Sequence, residues 1–235
     1  MAERPVFRAL GSGAQLVQVH MIAFEWFPGM AVKQAQKSIA SLHESARRAL
    51  HIDQVLEIST KSPDQYGVAL SAFNLTFCTT KHRREFSVES AFQSSKVFEY
   101  GGPYTDLMKS APRDAKRDPR LKNSGKLKAF RFFRQDWYLE PKTAFYDWLY
   151  INALAQHEDL IDYVLDYSAF TDIAFNPERS INCQAYAAAL FVALHKRNLL
   201  REALAGQESF IRVISDATEN GLERRKVSQN EIQFD

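Results

Sequence analysis

The 235-residue sequence predicts an α+β chain, predominantly helical with a few short strands. Three observations carry that prediction. Apolar residues recur at helical spacing over residues 32–50 and in several segments beyond Pro141. Apolar and polar residues alternate at Val6-Phe7-Arg8 and through residues 16–27. Prolines and glycines punctuate the boundaries between such segments.

The first strands hold Val6 and Phe7, then Val17, Val19, Met21 and the rings of Phe24, Trp26 and Phe27, up to Pro28-Gly29. Residues 32–50 place Ile39, Leu42, Ala46 and Ala49 on one side and polar or basic residues opposite, which is an amphipathic helix. A strand over residues 55–59 precedes the turn Lys61-Ser62-Pro63-Asp64. Residues 68–78 read as extended or irregular, and Lys81 to Arg84 as a hairpin tip. Ser87 suits the N-cap of a helix running to about Glu99 and ended by Gly101-Gly102-Pro103. Pro112, Pro119 and Gly125 cut the next stretch into short pieces, which excludes a long basic helix. Pro141 opens an apolar helix to about Gln156, and its crowded Phe145, Tyr146, Trp148 and Tyr150 read as core rather than as a base-stacking platform. Further helices are expected over residues 160–165, 184–196 and 200–217, with residues 170–183 irregular. Beyond Gly221 few apolar anchors remain, and a frayed end is expected.

Composition removes several function classes. Nine glycines and eight prolines exclude a fibrous chain, and no apolar run approaches the roughly 20 residues of a membrane helix. Met1 to Pro5 is polar with no signal-type apolar segment after it, so a cytoplasmic protein is expected. Cys78 and Cys183 lie far apart, and the six histidines lack metal-ligand spacing, so neither a disulfide framework nor a metal site is expected. There is no Gly-rich phosphate loop and no nucleophile elbow.

The net charge of +2 hides an uneven distribution. Ten Lys and Arg residues between Lys109 and Arg134 face only Asp114 and Asp118, a formal +8, so the remainder carries about −6. Such a block fits a footprint for phosphates or nucleic acid, and equally a solvated charged loop.

The segment from Ser87 to Phe98 is the most informative. On a continuous helix Glu89, Gln93 and Lys96 fall at i, i+4 and i+7, in one stripe beside the apolar Val88, Ala91, Phe92 and Phe98. Glu89 and Lys96 then lie about 10 Å apart along the axis, too far for a direct ion pair but able to reach one pocket. A partly desolvated lysine is a candidate amine nucleophile and a nearby carboxylate a candidate acid or base. From the spacing alone a solvated helix face is the commoner case.

Leu70-Ser71-Ala72-Phe73-Asn74, followed by Ser87-Val88-Glu89, Phe92-Gln93 and Lys96-Val97-Phe98, resembles the NADAR (YbiA-like) family. That family carries a Leu-Ser-Asn-Phe segment, a short hairpin and then Thr-Val-Glu-His-Tyr-Phe-Gln-Ala-Gln-Lys-Phe. Asp114-Ala115-Lys116, Asp136-Trp137 and Ile181-Asn182-Cys183-Gln184 resemble later family elements in the right order. The runs Phe24-Glu25-Trp26-Phe27-Pro28-Gly29, Gly101 to Leu107, Arg117 to Lys122 and Phe170 to Pro177 resemble the branch found beside DarT-type DNA ADP-ribosyltransferase toxins. Ser90 stands where the family has His, and Ala72 where it has the Asn of Leu-Ser-Asn-Phe. The family's Asp…Trp-Gly element has no clear counterpart; Asp172 is the nearest acid, or else a cap or turn residue.

The resemblance implies a YbiA-like NADAR fold over residues 57–218, with residues 1–56 as an N-terminal extension and 219–235 as a polar tail. It implies an antitoxin of a DarT-type pair that removes ADP-ribose from guanine bases in DNA, with no cofactor. Partners would be ADP-ribosylated DNA and a genetically linked toxin. Lys96 would attack the anomeric carbon to give a Schiff base, with Glu89 moving protons; alternatively Lys96 is an electrostatic clamp while Glu89 or Asp172 activates water. Ser71, Asn74, Gln93, Trp137, Asn176 and Asn182 would contact substrate, although a buried tryptophan is more often core. Arg117, Arg120 and Lys122 would hold phosphates. Two other functions remain open: an N-glycosidase of riboflavin-pathway intermediates, and a non-catalytic module binding ADP-ribosylated DNA or the toxin. The basic block favours a DNA partner over a small metabolite, and the Glu89/Lys96 pair favours catalysis.

Overall fold

A computed structural model describes residues 1–81, 83–178 and 180–216. The tail expected at residues 219–235 lies outside the described residues. The elements in chain order are β1 (Ala2–Ala9), β2 (Val17–Phe24), α1 (Val32–Leu50), β3 (Val55–Glu57), α2 (Gln65–Ala69), β4 (Thr76–Cys78), β5 (Glu85–Ser87), α3 (Val88–Ser94) and β6 (Lys96–Phe98). A 3-10 turn at Thr105–Lys109 precedes α4 (Pro112–Arg117), α5 (Arg120–Asn123), β7 (Leu127–Phe132), β8 (Gln135–Trp137), α6 (Ala144–Leu154), α7 (Glu158–Leu165), β9 (Ala169–Thr171), α8 (Gln184–Lys196) and α9 (Leu200–Ala203). The chain is α+β, as its sequence predicts.

The largest sheet has the order β2-β1-β9-β3. β1 and β2 form an antiparallel ribbon from Ala2↔Phe24 to Ala9↔Val17, and β9 pairs antiparallel with β1 and parallel with β3. α1 covers one face. Its Ile39, Leu42 and Ala46 join Val6, Ile22, Phe24, Val55 and Ala169 in a closed apolar cluster. On the other side α8 is buried almost all round. Ala185, Ala187, Ala188, Ala189 and Ala193 let neighbouring backbone approach, while Leu190, Phe191 and Leu194 fill the larger core.

Several boundaries differ from those the sequence suggests. The helix from Ser87 does not run to Glu99; α3 stops at Ser94 and Lys96 begins a strand. The Ser94 and Ser95 hydroxyls both donate to the Ala91 carbonyl, at 2.9 and 2.7 Å, competing with continued helix. Lys96 then pairs with Phe130 of β7. Residues 68–78 contain the end of α2, whose first turn is held by Asp64 Oδ1 accepting from Tyr66 and Gly67 N–H. Residues 170–183 are not wholly irregular, because Ala169–Thr171 is drawn between β1 and β3. The expected helix over 200–217 is broken at residues 204–206, with residues 207–216 helical again. No described helix is long and apolar enough to cross a membrane.

Candidate active site

The start of α3 is fixed by the turn before it. The Val88 and Glu89 N–H groups donate to the Leu75 and Ala72 carbonyls, at 3.0 and 2.9 Å, and Ser90 N–H donates to the Ser87 hydroxyl. Residues 70–75 thus supply acceptors for donors that a helix N-terminus leaves unpaired. Tyr150 holds this turn from below, its hydroxyl donating to the Leu70 carbonyl at 2.7 Å. The result aims Glu89 and Gln93 into a cleft of about 420 Å³, which Lys96, Lys116, Asp172, Asn182 and Gln184 also line.

Within it, Glu89 is only 5% exposed. Its Oε1 accepts from the Gln93 side-chain amide at 2.8 Å and meets the Lys116 ammonium at 3.4 Å. Lys96 lies with its ammonium 4.8 Å from the Phe92 ring centre. Its pKa is pushed down to about 8: burial lowers it, Glu89 opposes that, and the Lys116 charge adds a smaller lowering. The cleft therefore holds an amine that gives up its proton near pH 8, well below an ordinary lysine, with a carboxylate and an amide fixing that carboxylate in the same cleft.

Asp172 also lines the cleft. Its Oδ1 accepts from the Ala174 N–H at 2.9 Å, and its Oδ2 from the Gln184 amide at 3.0 Å. Gln184 also donates to the Ile58 carbonyl and accepts from Ala72 N–H, tying β3, the 70–75 turn and the 172 loop together. Burial, with the Glu57 carboxylate behind it, pushes the Asp172 carboxyl well above the ordinary range. Glu57 is buried too; it accepts from the Thr171 hydroxyl at 2.6 Å and from Ile173 N–H at 2.8 Å, and His43 Nε2 meets that hydroxyl at 2.8 Å. Burial keeps His43 neutral, its pKa pushed down to about 4, so its Nε2–H can donate to Thr171.

A family model described as DarT1-associated NADAR antitoxin matches residues 2–223. The chain belongs to this family. No curated protein matches it. The match begins at Ala2, so in this NADAR antitoxin the segment before residue 57 falls within the family unit and supplies β1 and β2 to the sheet bearing Asp172.

The antitoxin's remaining candidate residues divide sharply. Asn182 lines the cleft, as do Glu89, Gln93, Lys96 and Asp172. Lys116 and Gln184 join them without having been singled out for the site; the loose matches Asp114-Ala115-Lys116 and Asn182-Cys183-Gln184 were the available signal. Lys96 reaches the cleft from a strand rather than from the helix stripe. Ser71 is fully buried and its hydroxyl has no hydrogen-bond partner among the described residues. Asn74 is exposed and donates to the Val68 carbonyl at 2.9 Å, while Asn176 Oδ1 accepts from Glu178 N–H in a turn. Neither lines the cleft. Trp137 is 1% exposed, with Phe145 and Trp148 at ring distances of 5.5 and 5.0 Å, so it is core and not a stacking surface. Arg117 and Lys122 are exposed outside the cleft. Arg120 is already compensated, bonding Asp106 at 2.6 Å and Asp118 at 2.9 Å.

Proposed function

We propose that this antitoxin is an ADP-ribosylglycohydrolase that removes ADP-ribose from guanine bases in DNA. The observation that carries the reading is the pairing of a desolvated Lys96 amine with a buried, hydrogen-bonded Glu89 in one cleft. The neutral Lys96 amine attacks the anomeric carbon of the ribose attached to guanine. The carbon–guanine bond breaks, its electron pair goes to the base nitrogen, and that nitrogen takes a proton delivered through Glu89. The amine loses a proton as the new carbon–nitrogen bond forms. Opening of the ribose ring then gives a Schiff base. Water adds to its carbon, the carbon–lysine bond breaks, and ADP-ribose and the free amine are regenerated. Gln93 and Lys116 hold Glu89 in place, and Asn182 and Asp172, which line the same cleft, face the substrate.

The test is release of ADP-ribose from a guanine-ADP-ribosylated oligonucleotide. Wild type is expected to release it, Lys96→Ala to lose nearly all activity, and Glu89→Gln to lose about 10²–10⁴-fold. Borohydride added during turnover is expected to fix a covalent adduct on Lys96. Release without any adduct would instead assign Lys96 as a clamp and the attack to water. No release by wild type would overturn the hydrolase reading and leave the riboflavin-intermediate glycosidase and the non-catalytic binding module.

A further inference from the structure

Two clefts of about 670 and 730 Å³ lie outside the candidate active site and share Arg84, Phe86, Phe133 and Arg134. Phe133 and Arg134 are the two-residue turn between β7 and β8, closed by the Phe132↔Gln135 pair. Both have positive φ, 43° and 72°. Turns of this kind favour Asn-Gly, and a phenylalanine followed by an arginine is strained there. Phe133 is also 60% exposed, its ring meeting Phe132 edge-on at 4.5 Å between centres. Backbone strain and an exposed ring both cost stability, and a bound partner is what would offset them.

The charge around the ring indicates which partner. Arg84 and Arg134, with Lys81 in one cleft and Lys109 in the other, form no ion pair among the described residues. The remaining charges are already matched: Arg131 pairs with Asp136, and Asp106 with Arg120. Four uncompensated cations thus surround a projecting aromatic ring. Cations beside an aromatic platform suit a polyanion with flat, unpaired rings. A duplex hides its base faces in the stack, and an acidic peptide offers carboxylates without a ring for each charge.

We propose that this ridge binds single-stranded DNA, with Phe133 stacking on an unpaired base and Arg84, Arg134 and Lys109 holding the flanking phosphates. The choice of DNA rests on the function proposed above, whose substrate is a DNA strand. The site is separate from the Lys96 cleft, so binding can be read without turnover.

The experiment is fluorescence anisotropy of unmodified labelled oligonucleotides with the full chain. The single-stranded DNA should bind more tightly than its duplex, than RNA of the same sequence, and than inorganic polyphosphate used as a competitor. Phe133→Ala should weaken single-strand binding about tenfold. Arg84→Glu and Arg134→Glu should each flatten the slope of log affinity against log salt by about 0.7. Arg48→Ala, on the exposed face of α1, should bind as wild type. Unchanged binding by Phe133→Ala, or duplex, RNA or polyphosphate binding as tight as the single strand, would overturn the proposal. Those outcomes are distinct from a failure to release ADP-ribose, which bears only on the Lys96 cleft.

Discussion

At the scale of residues, Lys96 and Lys116 form an electrostatic couple whose effect on rate has a definite sign. Burial and the Lys116 charge both lower the Lys96 pKa, which falls to about 8. The attacking species is the neutral amine, so the rate of the chemical step should fall about tenfold for each pH unit below that value and level off above it. Lys116→Met removes a like charge, raises the Lys96 pKa and should move this limb to higher pH. A limb that stays in place would mean that the titrating group is not Lys96. Spacing offered Glu89, Gln93 and Lys96 only as one reading of a helix face, and it was the resemblance of Ser87-Val88-Glu89, Phe92-Gln93 and Lys96-Val97-Phe98 to the family segment that singled them out. Lys96 nonetheless arrives by another route, since the helix ends two residues before it and β6 restores its reach. Trp137 shows the opposite failure: an aromatic residue carries the same letter whether it stacks on a ligand or fills a core, and only burial decides.

Among elements, local pattern predicts those whose stability is local. α1 and α8 occupy the expected spans 32–50 and 184–196, because the periodic face of one and the continuous apolar run of the other need no distant partner to be recognised. β6 and β9 are three-residue strands that exist only because β7, and β1 with β3, lie alongside. Nothing in their own sequences outweighs that pairing. The small helix α2 depends on its neighbours too, since it seats against β3 through Gly67. A Cβ at Gly67 would overlap the Glu57 carbonyl oxygen and the Ser62 hydroxyl, leaving the helix or the strand to shift. Gly67→Ala should therefore destabilise the protein by about 1–3 kcal/mol, read from chemical denaturation, even though alanine favours helix. Unchanged stability would mean that α2 is free to move away from β3.

For the whole molecule, charge and connectivity both look different once the chain is folded. The cationic block from Lys109 to Arg134 is spread over four elements, and three of its members are compensated by Glu89, Asp106 with Asp118, and Asp136. Its sign was legible in the sequence, whereas its usable part depends on acids brought in from elsewhere. The same holds for the first 56 residues, whose composition marks no boundary inside the fold. β1 lies between β2 and β9, with Phe7 opposite Phe170 and the Ala9 N–H bonded to the Ser168 carbonyl at 2.9 Å. Phe7 belongs to the larger core, and Val6, Ile39 and Leu42 to the cluster under α1. Removing residues 1–56 would take away β1 and two of the three β3 residues, leaving β9 with only the Glu57↔Thr171 pairing, and would expose Ala169 and Ile173 beneath the lost α1, next to the loop that holds Asp172. We expect the shortened chain to lose its cooperative thermal transition and to bind a hydrophobic dye, whereas changes confined to the Lys96 cleft should leave the transition intact. A sharp transition and retained activity in the shortened chain would show that Asp172 is held without β1, and that Glu57 and Gln184 suffice to place it.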